Sequence, residues 1–214
     1  MTDTPPEPAK NCPLCPRLVA YREANARAEP TWFNGPAPSF GPSDARLLIV
    51  GLAPGRMGAN RTGRPFTGDY AGDLLYSTLK KYGFARGEYR ADPNDGFTLV
   101  DAMVSNAVRC APPENKPTPQ EIATCRPFLT ARIAALPKLR VILALGSIAH
   151  ESVLRAHGRK PTFLKFAHAC EAELAPGRSL ISSYHCSRYN TQTRRLTTEM
   201  FEAVVAQAKA KLGG

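Results

Sequence analysis

The feature that most limits what this chain can fold into is the form of its apolar runs, which are short, evenly spread and end in loops crowded with functional side chains. The first, ARLLIVGLAPG at 45–55, closes on a Gly/Pro turn. Others lie within Phe97–Arg109, at 140–147 and at 179–185. Runs of this length and content fit strands buried on both faces. Helix-like stretches alternate with them, at about 16–28, 71–82, 118–136, 147–157 and 194–212. Thr118-Pro119-Gln120-Glu121 carries a helix-start signature, with a capping Thr, Pro in the first turn and Glu at the third position. Strands alternating with helices predict an α/β layered fold around a mainly parallel sheet of about four strands. We expect residues 1–11 to be a disordered leader and 12–214 a single domain without internal repeats.

In such sheets, ligands bind beyond the carboxyl ends of the strands. Here those ends carry GLAPG, NAVRC, GS and SYHCSR. Lys and Arg number 28 against 18 Asp and Glu, a formal charge of +10. An excess of this size concentrates anionic partners, of which nucleic acid is the commonest. The N-terminus has no apolar signal region, and no stretch reaches the length of a membrane span, so a cytoplasmic protein with no membrane partner is expected.

The chain has six cysteines. Cys12 and Cys15 form CPLC, a spacing that aims two thiolates at one metal or cluster. Cys110 and Cys125 join a post-strand loop to the following helix, with Arg17, Arg109, Lys116 and Arg126 nearby to favour thiolates. Structural zinc and a four-iron, four-sulfur cluster both fit this ligand count, whereas a disulfide is disfavoured by a reducing compartment. Cys170 reads as a buried small apolar residue.

The segment GLAPGRMGANRTGRPFTGDYAGD, from Gly51 to Asp73, is dense in Gly and in polar side chains. It lacks the Gly-Lys-Ser/Thr of a P-loop and the GxGxxG of a dinucleotide site, so its glycines read as a turn where backbone meets a phosphate or base. Taken singly, Asp69 could as well cap a helix, and Phe66, Asn106 and His185 could be structural.

Taken in order, CPLC, GLAPG, ANRTGRPFTGD, NAVRCAPPENKP with Cys125, and SYHCSRYNTQTRRLT closely resemble the uracil-DNA glycosylase superfamily, specifically its family 5. The resemblance implies an α/β/α sandwich and a DNA repair glycosylase. Such an enzyme hydrolyses the N-glycosidic bond of uracil, and of other deaminated bases such as hypoxanthine, to leave an abasic site. It implies a structural iron–sulfur cluster on Cys12, Cys15, Cys110 and Cys125, in preference to zinc. It further implies Asp69 and His185 as catalytic residues. Phe66 and Asn106 would bind the base, with Gly51, Ala53 and Gly55 around it; Ala53 stands where other families carry a polar residue. Arg188, Tyr189, Asn190, Arg61 and Arg64 are the expected DNA contacts, with Arg194 and Arg195 as added cations. Asp69 would stabilise the sugar cation and position water, and His185 would face the departing base. The expected partner is DNA containing a deaminated base, met by a monomer. The alternative is a module that binds damaged bases without turnover. Two departures from the family pattern stand out: Cys186 replaces a usual Pro after the His, and Arg194 replaces a usual Gly.

Overall fold

The structure is a computed structural model that describes residues 4–213. Helix α1 (Pro16–Ala28) precedes strand β1 (Leu47–Gly51), the short α2 (Ala59–Thr62) and α3 (Tyr70–Lys81). An antiparallel pair of two-residue strands, β2 (Ala85–Arg86) and β3 (Thr98–Leu99), leads to β4 (Ala102–Asn106) and α4 (Pro119–Ala134). Strand β5 (Val141–Leu145), α5 (Ser147–Ala156), β6 (Glu171–Ala175), β7 (Arg178–Ser183), α6 (Arg188–Gln192) and α7 (Thr198–Lys211) complete the chain.

The main sheet has the order β4-β1-β5-β7-β6. The first four strands run parallel, and β6 pairs antiparallel with β7 at the edge. Every residue of β1, β4 and β5 is buried, so side chains alternate between two apolar layers. On one face Leu47, Ile49, Val104 and Leu143 meet Leu75 and Leu79 of α3 and Phe201, Val204 and Val205 of α7. On the other, Leu48, Val50, Met103 and Ile142 meet Leu129 and Ile133 of α4 and Ala149 and Val153 of α5. The result is the expected α/β/α sandwich, with five strands in the main sheet where about four were expected. The strand that sequence reading omitted is β6, EAELA: it has no β-branched or aromatic residue and carries charge on an exposed edge.

The helix start at Thr118 has the expected capping box. Thr118 Oγ1 accepts from the Glu121 amide at 3.2 Å, and Glu121 Oε2 accepts from the Thr118 amide at 2.7 Å. The same carboxylate binds Arg17 through Nε at 2.8 Å and Nη2 at 2.7 Å, which fixes the start of α1 against the start of α4. The leader expected over 1–11 extends beyond the described residues at 1–3. Within it, Glu7 accepts the Ser39 amide at 3.2 Å and Arg132 Nη2 at 2.5 Å, and it pairs with the buried Arg109. These bonds tie that part of the chain to the body of the fold. Among the described residues, no helix is long and apolar enough to cross a membrane.

Candidate active site

The parallel register decides which loops meet. Gly51 pairs with Asn106 at the carboxyl ends of β1 and β4, and the pairing runs on through Ala107 N–H to Gly51 O and Val108 N–H to Leu52 O, both 2.9 Å. Beyond these ends lies a cavity of about 590 Å³. Ala53 and Gly55 of the β1 loop, Asp69 at the start of α3, and His185 after β7 all line it. Gly146 and Ser147, at the β5–α5 turn, and Phe166 and Tyr184 form further wall.

Asp69 occupies the N-cap position of α3, yet its side chain makes no capping bond. Its Oδ1 is buried without a hydrogen-bond partner among the described residues. Burial raises its pKa; the Gly72 and Ala71 amides nearby offset only part of that effect. Asp69 thus stands at the helix cap, as the capping alternative expected, but one of its carboxylate oxygens is left without a partner among the described residues.

His185 is half-buried, and desolvation lowers its imidazole pKa to about 4. The ring is neutral at physiological pH, a state that sequence alone left open. Its backbone is pinned: Asn190 Nδ2 donates to His185 O at 2.8 Å, and Ser187 caps α6 by accepting the Asn190 amide at 3.4 Å. Cys186 is fully buried and turns into the core beside α7.

Phe66 and Asn106 stand directly behind this wall rather than on it. They are 6% and 2% exposed. Phe66 stacks on His185 with ring centroids 5.8 Å apart and planes 24° from parallel. Both approach Gly51 so closely that an added Cβ would lie 2.5 Å from Phe66 Cζ and 2.6 Å from Asn106 Oδ1. Gly51 is thus where two side chains need a backbone without a branch. Asn106 Oδ1 is buried without a partner among the described residues.

At the cavity mouth, the first turn of α6 presents Arg188 and Tyr189, the latter 71% exposed. Arg195 also borders the cavity, its guanidinium 4.7 Å from the Tyr184 ring centroid. Arg61 is exposed, its Nε bonded to Met57 O at 3.0 Å. Arg64 corrects expectation. It is 5% exposed and paired with buried Asp95, so it has no face to offer a DNA phosphate.

Sequence reading missed Asn115, which lines the cavity in a left-handed conformation, φ +57°. A Cβ placed on Gly55 would stand 3.5 Å from Asp69 Oδ2 and 3.9 Å from Asn115 Oδ1, so both polar groups face the same spot. The signal was present in ENKP, since Asn before a Lys-Pro turn tolerates this backbone.

Cys12, Cys15, Cys110 and Cys125 border one small hollow at the junction of α1, the β4–α4 loop and α4. Leu18, Val108 and Phe128 pack around them. The Arg109 amide donates to Cys125 Sγ at 3.3 Å, and Arg22 Nη1 reaches Cys110 Sγ at 3.9 Å. Among the described residues, no three His, Cys, Asp or Glu side chains are set closely enough to share a single metal ion.

Comparison with known proteins identifies the family of the chain. The family model for the uracil DNA glycosylase superfamily matches residues 38–209. The chain is 46% identical to the type-5 uracil-DNA glycosylase of Thermus thermophilus over 94% of each chain. It is 42% identical to that of Mycobacterium leprae over 95% of this chain and 92% of the relative. Similarity to the type-4 uracil-DNA glycosylase of Pyrobaculum aerophilum is lower, 36% over 71% of this chain. The protein belongs to the uracil-DNA glycosylase superfamily and groups with its type-5 members.

Proposed function

We propose that the protein excises uracil from DNA by hydrolysing the N-glycosidic bond, leaving an abasic site. The observation that carries this reading is one cavity holding the half-buried carboxylate of Asp69, at the start of α3, and the neutral imidazole of His185, after β7. Cleavage breaks the C1′–N bond, and its electron pair leaves on the base. Positive charge grows on the sugar and negative charge on the base. Ionised Asp69 stabilises the sugar cation and, with Asn115, orients water toward C1′; the proton that water loses passes to Asp69. A neutral His185 donates an N–H toward the base carbonyl where negative charge collects. Phe66 and Asn106 act from behind the wall: Phe66 stacks on His185 and supports the plane of its ring, and the unpartnered Asn106 Oδ1 lies next to Phe66 at Gly51.

The substrate class extends to other deaminated bases, hypoxanthine among them, because Ala53 offers no polar group to reject a purine. Duplex DNA is opened by Tyr189 while Arg188, Arg61 and Arg195 hold phosphates. The protein acts as a monomer in the cytoplasm.

The four cysteines would hold an iron–sulfur cluster. The fit rests on the donor set: four thiols around one apolar hollow, with an amide and a guanidinium directed at sulfur. When bound, the cluster joins α1, the β4 loop and α4; every chemical step belongs to the residues above.

The test is base release by iron-loaded, full-length protein from duplexes containing uracil or hypoxanthine. Free uracil with an abasic product is expected. Tight binding of uracil DNA with no product would instead make this a damaged-base binding module.

A further inference from the structure

The ion pair that removes Arg64 from the DNA surface has a role of its own. Arg64 gives Asp95 two parallel bonds, Nη1 to Oδ1 and Nη2 to Oδ2, each 2.8 Å. Its Nε donates to Thr67 Oγ1 at 2.7 Å, and that hydroxyl donates to Pro65 O at 3.3 Å. Asp95 also accepts the amides of Arg90 and Phe97, both at 2.9 Å. The rings of Phe40, Tyr76, Tyr89 and Phe97 surround the guanidinium, with centroids 5.3, 5.8, 5.6 and 5.9 Å away.

Burying an ion pair costs desolvation that an apolar side chain would not incur. What the pair adds is direction, because a forked guanidinium fixes the orientation of both partners. That direction is applied to the two residues flanking Phe66. Phe66 has φ +53°, a left-handed conformation that a bulky residue abandons unless its surroundings impose it. Tyr89 Oη donates to Phe66 O at 3.0 Å, and Thr62 Oγ1 donates to Thr67 O at 3.0 Å, so the loop is held on both sides of the strained residue.

We infer that Arg64 and Asp95 are positioning residues for base excision: acting through Thr67, they hold Phe66 in its left-handed conformation and so set its ring against His185. This inference rests on the cavity being the nucleobase site. Arg64 and Asp95 touch neither substrate nor reacting atoms; their effect reaches the reaction only through where Phe66 lies.

The experiment uses the full-length protein and a uracil duplex. It measures single-turnover base release, DNA binding and thermal unfolding for Thr67→Val, Thr67→Ser and Arg64→Lys. Thr67→Val removes the hydroxyl at nearly constant shape. It is expected to slow release by about 10- to 100-fold, the scale of a small misplacement, while DNA affinity changes less than about twofold. Thr67→Ser, which keeps the hydroxyl, restores release to within about threefold of wild type. In a Phe66→Ala background, Thr67→Val is expected to cost less than about twofold, because the side chain it positions is gone. Should Arg64→Lys fail to fold, Thr67→Val carries the test, since it leaves the ion pair intact. A folded Thr67→Val protein with the wild-type rate overturns the inference, as does an equal loss in the Phe66→Ala background. A wild-type protein that releases no uracil sinks the underlying reading instead.

Discussion

Gly58 and Asp69 occupy each other's space: a Cβ built on Gly58 would stand 3.1 Å from Asp69 Cγ and nearer still to Oδ2. The carboxylate lies where only a residue without a side chain can face it. The β1 loop therefore shapes Asp69 from one side while α3 carries it from the other.

Gly58→Ala should consequently act as an indirect lesion of Asp69. The added methyl displaces the carboxylate, and a displacement near 1 Å costs about 100-fold in rate. Single-turnover uracil release with a parallel DNA-binding measurement checks this. A normal rate in Gly58→Ala would show that the carboxylate tolerates movement.

Asp69→Asn keeps the shape and removes the charge. Uracil release is expected to fall by about 100- to 10,000-fold, the range for a positioned acid–base group, with DNA binding retained. An unchanged rate would take Asp69 out of the mechanism.

The pH dependence follows from two shifts. Burial raises the Asp69 pKa, so the active ionised form is lost on acidification at a pH above that of an ordinary Asp, about 3.9. His185 titrates at about 4 and stays neutral above it, so no inflection near the usual imidazole pKa of about 6.5 is expected. For stability, the unfolded state binds the His185 proton between about 6.5 and 4 while the folded state does not. Stability therefore declines as pH falls through that window, by up to roughly 3 kcal/mol from this residue. Urea midpoints for wild type and His185→Gln across this range check the sign; identical slopes would exclude His185 as the cause.

Cys125→Ser is expected to lose bound iron and visible colour and to unfold at lower temperature, since α1 is then held to α4 only through contacts such as Arg17–Glu121. Iron and sulfide analysis with thermal melts measures both. Retained iron at the wild-type level would remove this cysteine from the ligand set.

Arg194 adopts φ +57°, a left-handed conformation that Gly takes without strain. Arg194→Gly should stabilise the fold by about 1 kcal/mol by relieving the left-handed strain. Loss of a cation should also flatten the salt dependence of DNA binding by about one unit of slope if Arg194 meets a phosphate. A less stable variant would show that the Arg side chain contributes more than its backbone costs.

Much of the architecture was legible because it depends on local pattern. Short buried runs marked β1, β4, β5 and β7, the Thr118–Glu121 cap marked α4, and the motif order around Asp69 and His185 marked the family. Strand β6 was not legible, since EAELA is held by its pairing with β7 and not by propensity. The site divides the same way. Sequence determined which polar groups end the strands, because those groups follow the apolar runs. Only tertiary structure decided their states: packing lowered the His185 pKa, left Asp69 Oδ1 without a partner among the described residues, brought Asn115 to the cavity, and placed Arg64 inside four aromatic rings instead of on the surface. The physical reason is that charge, exposure and pKa depend on neighbours distant in the chain, which residue identity and spacing do not specify.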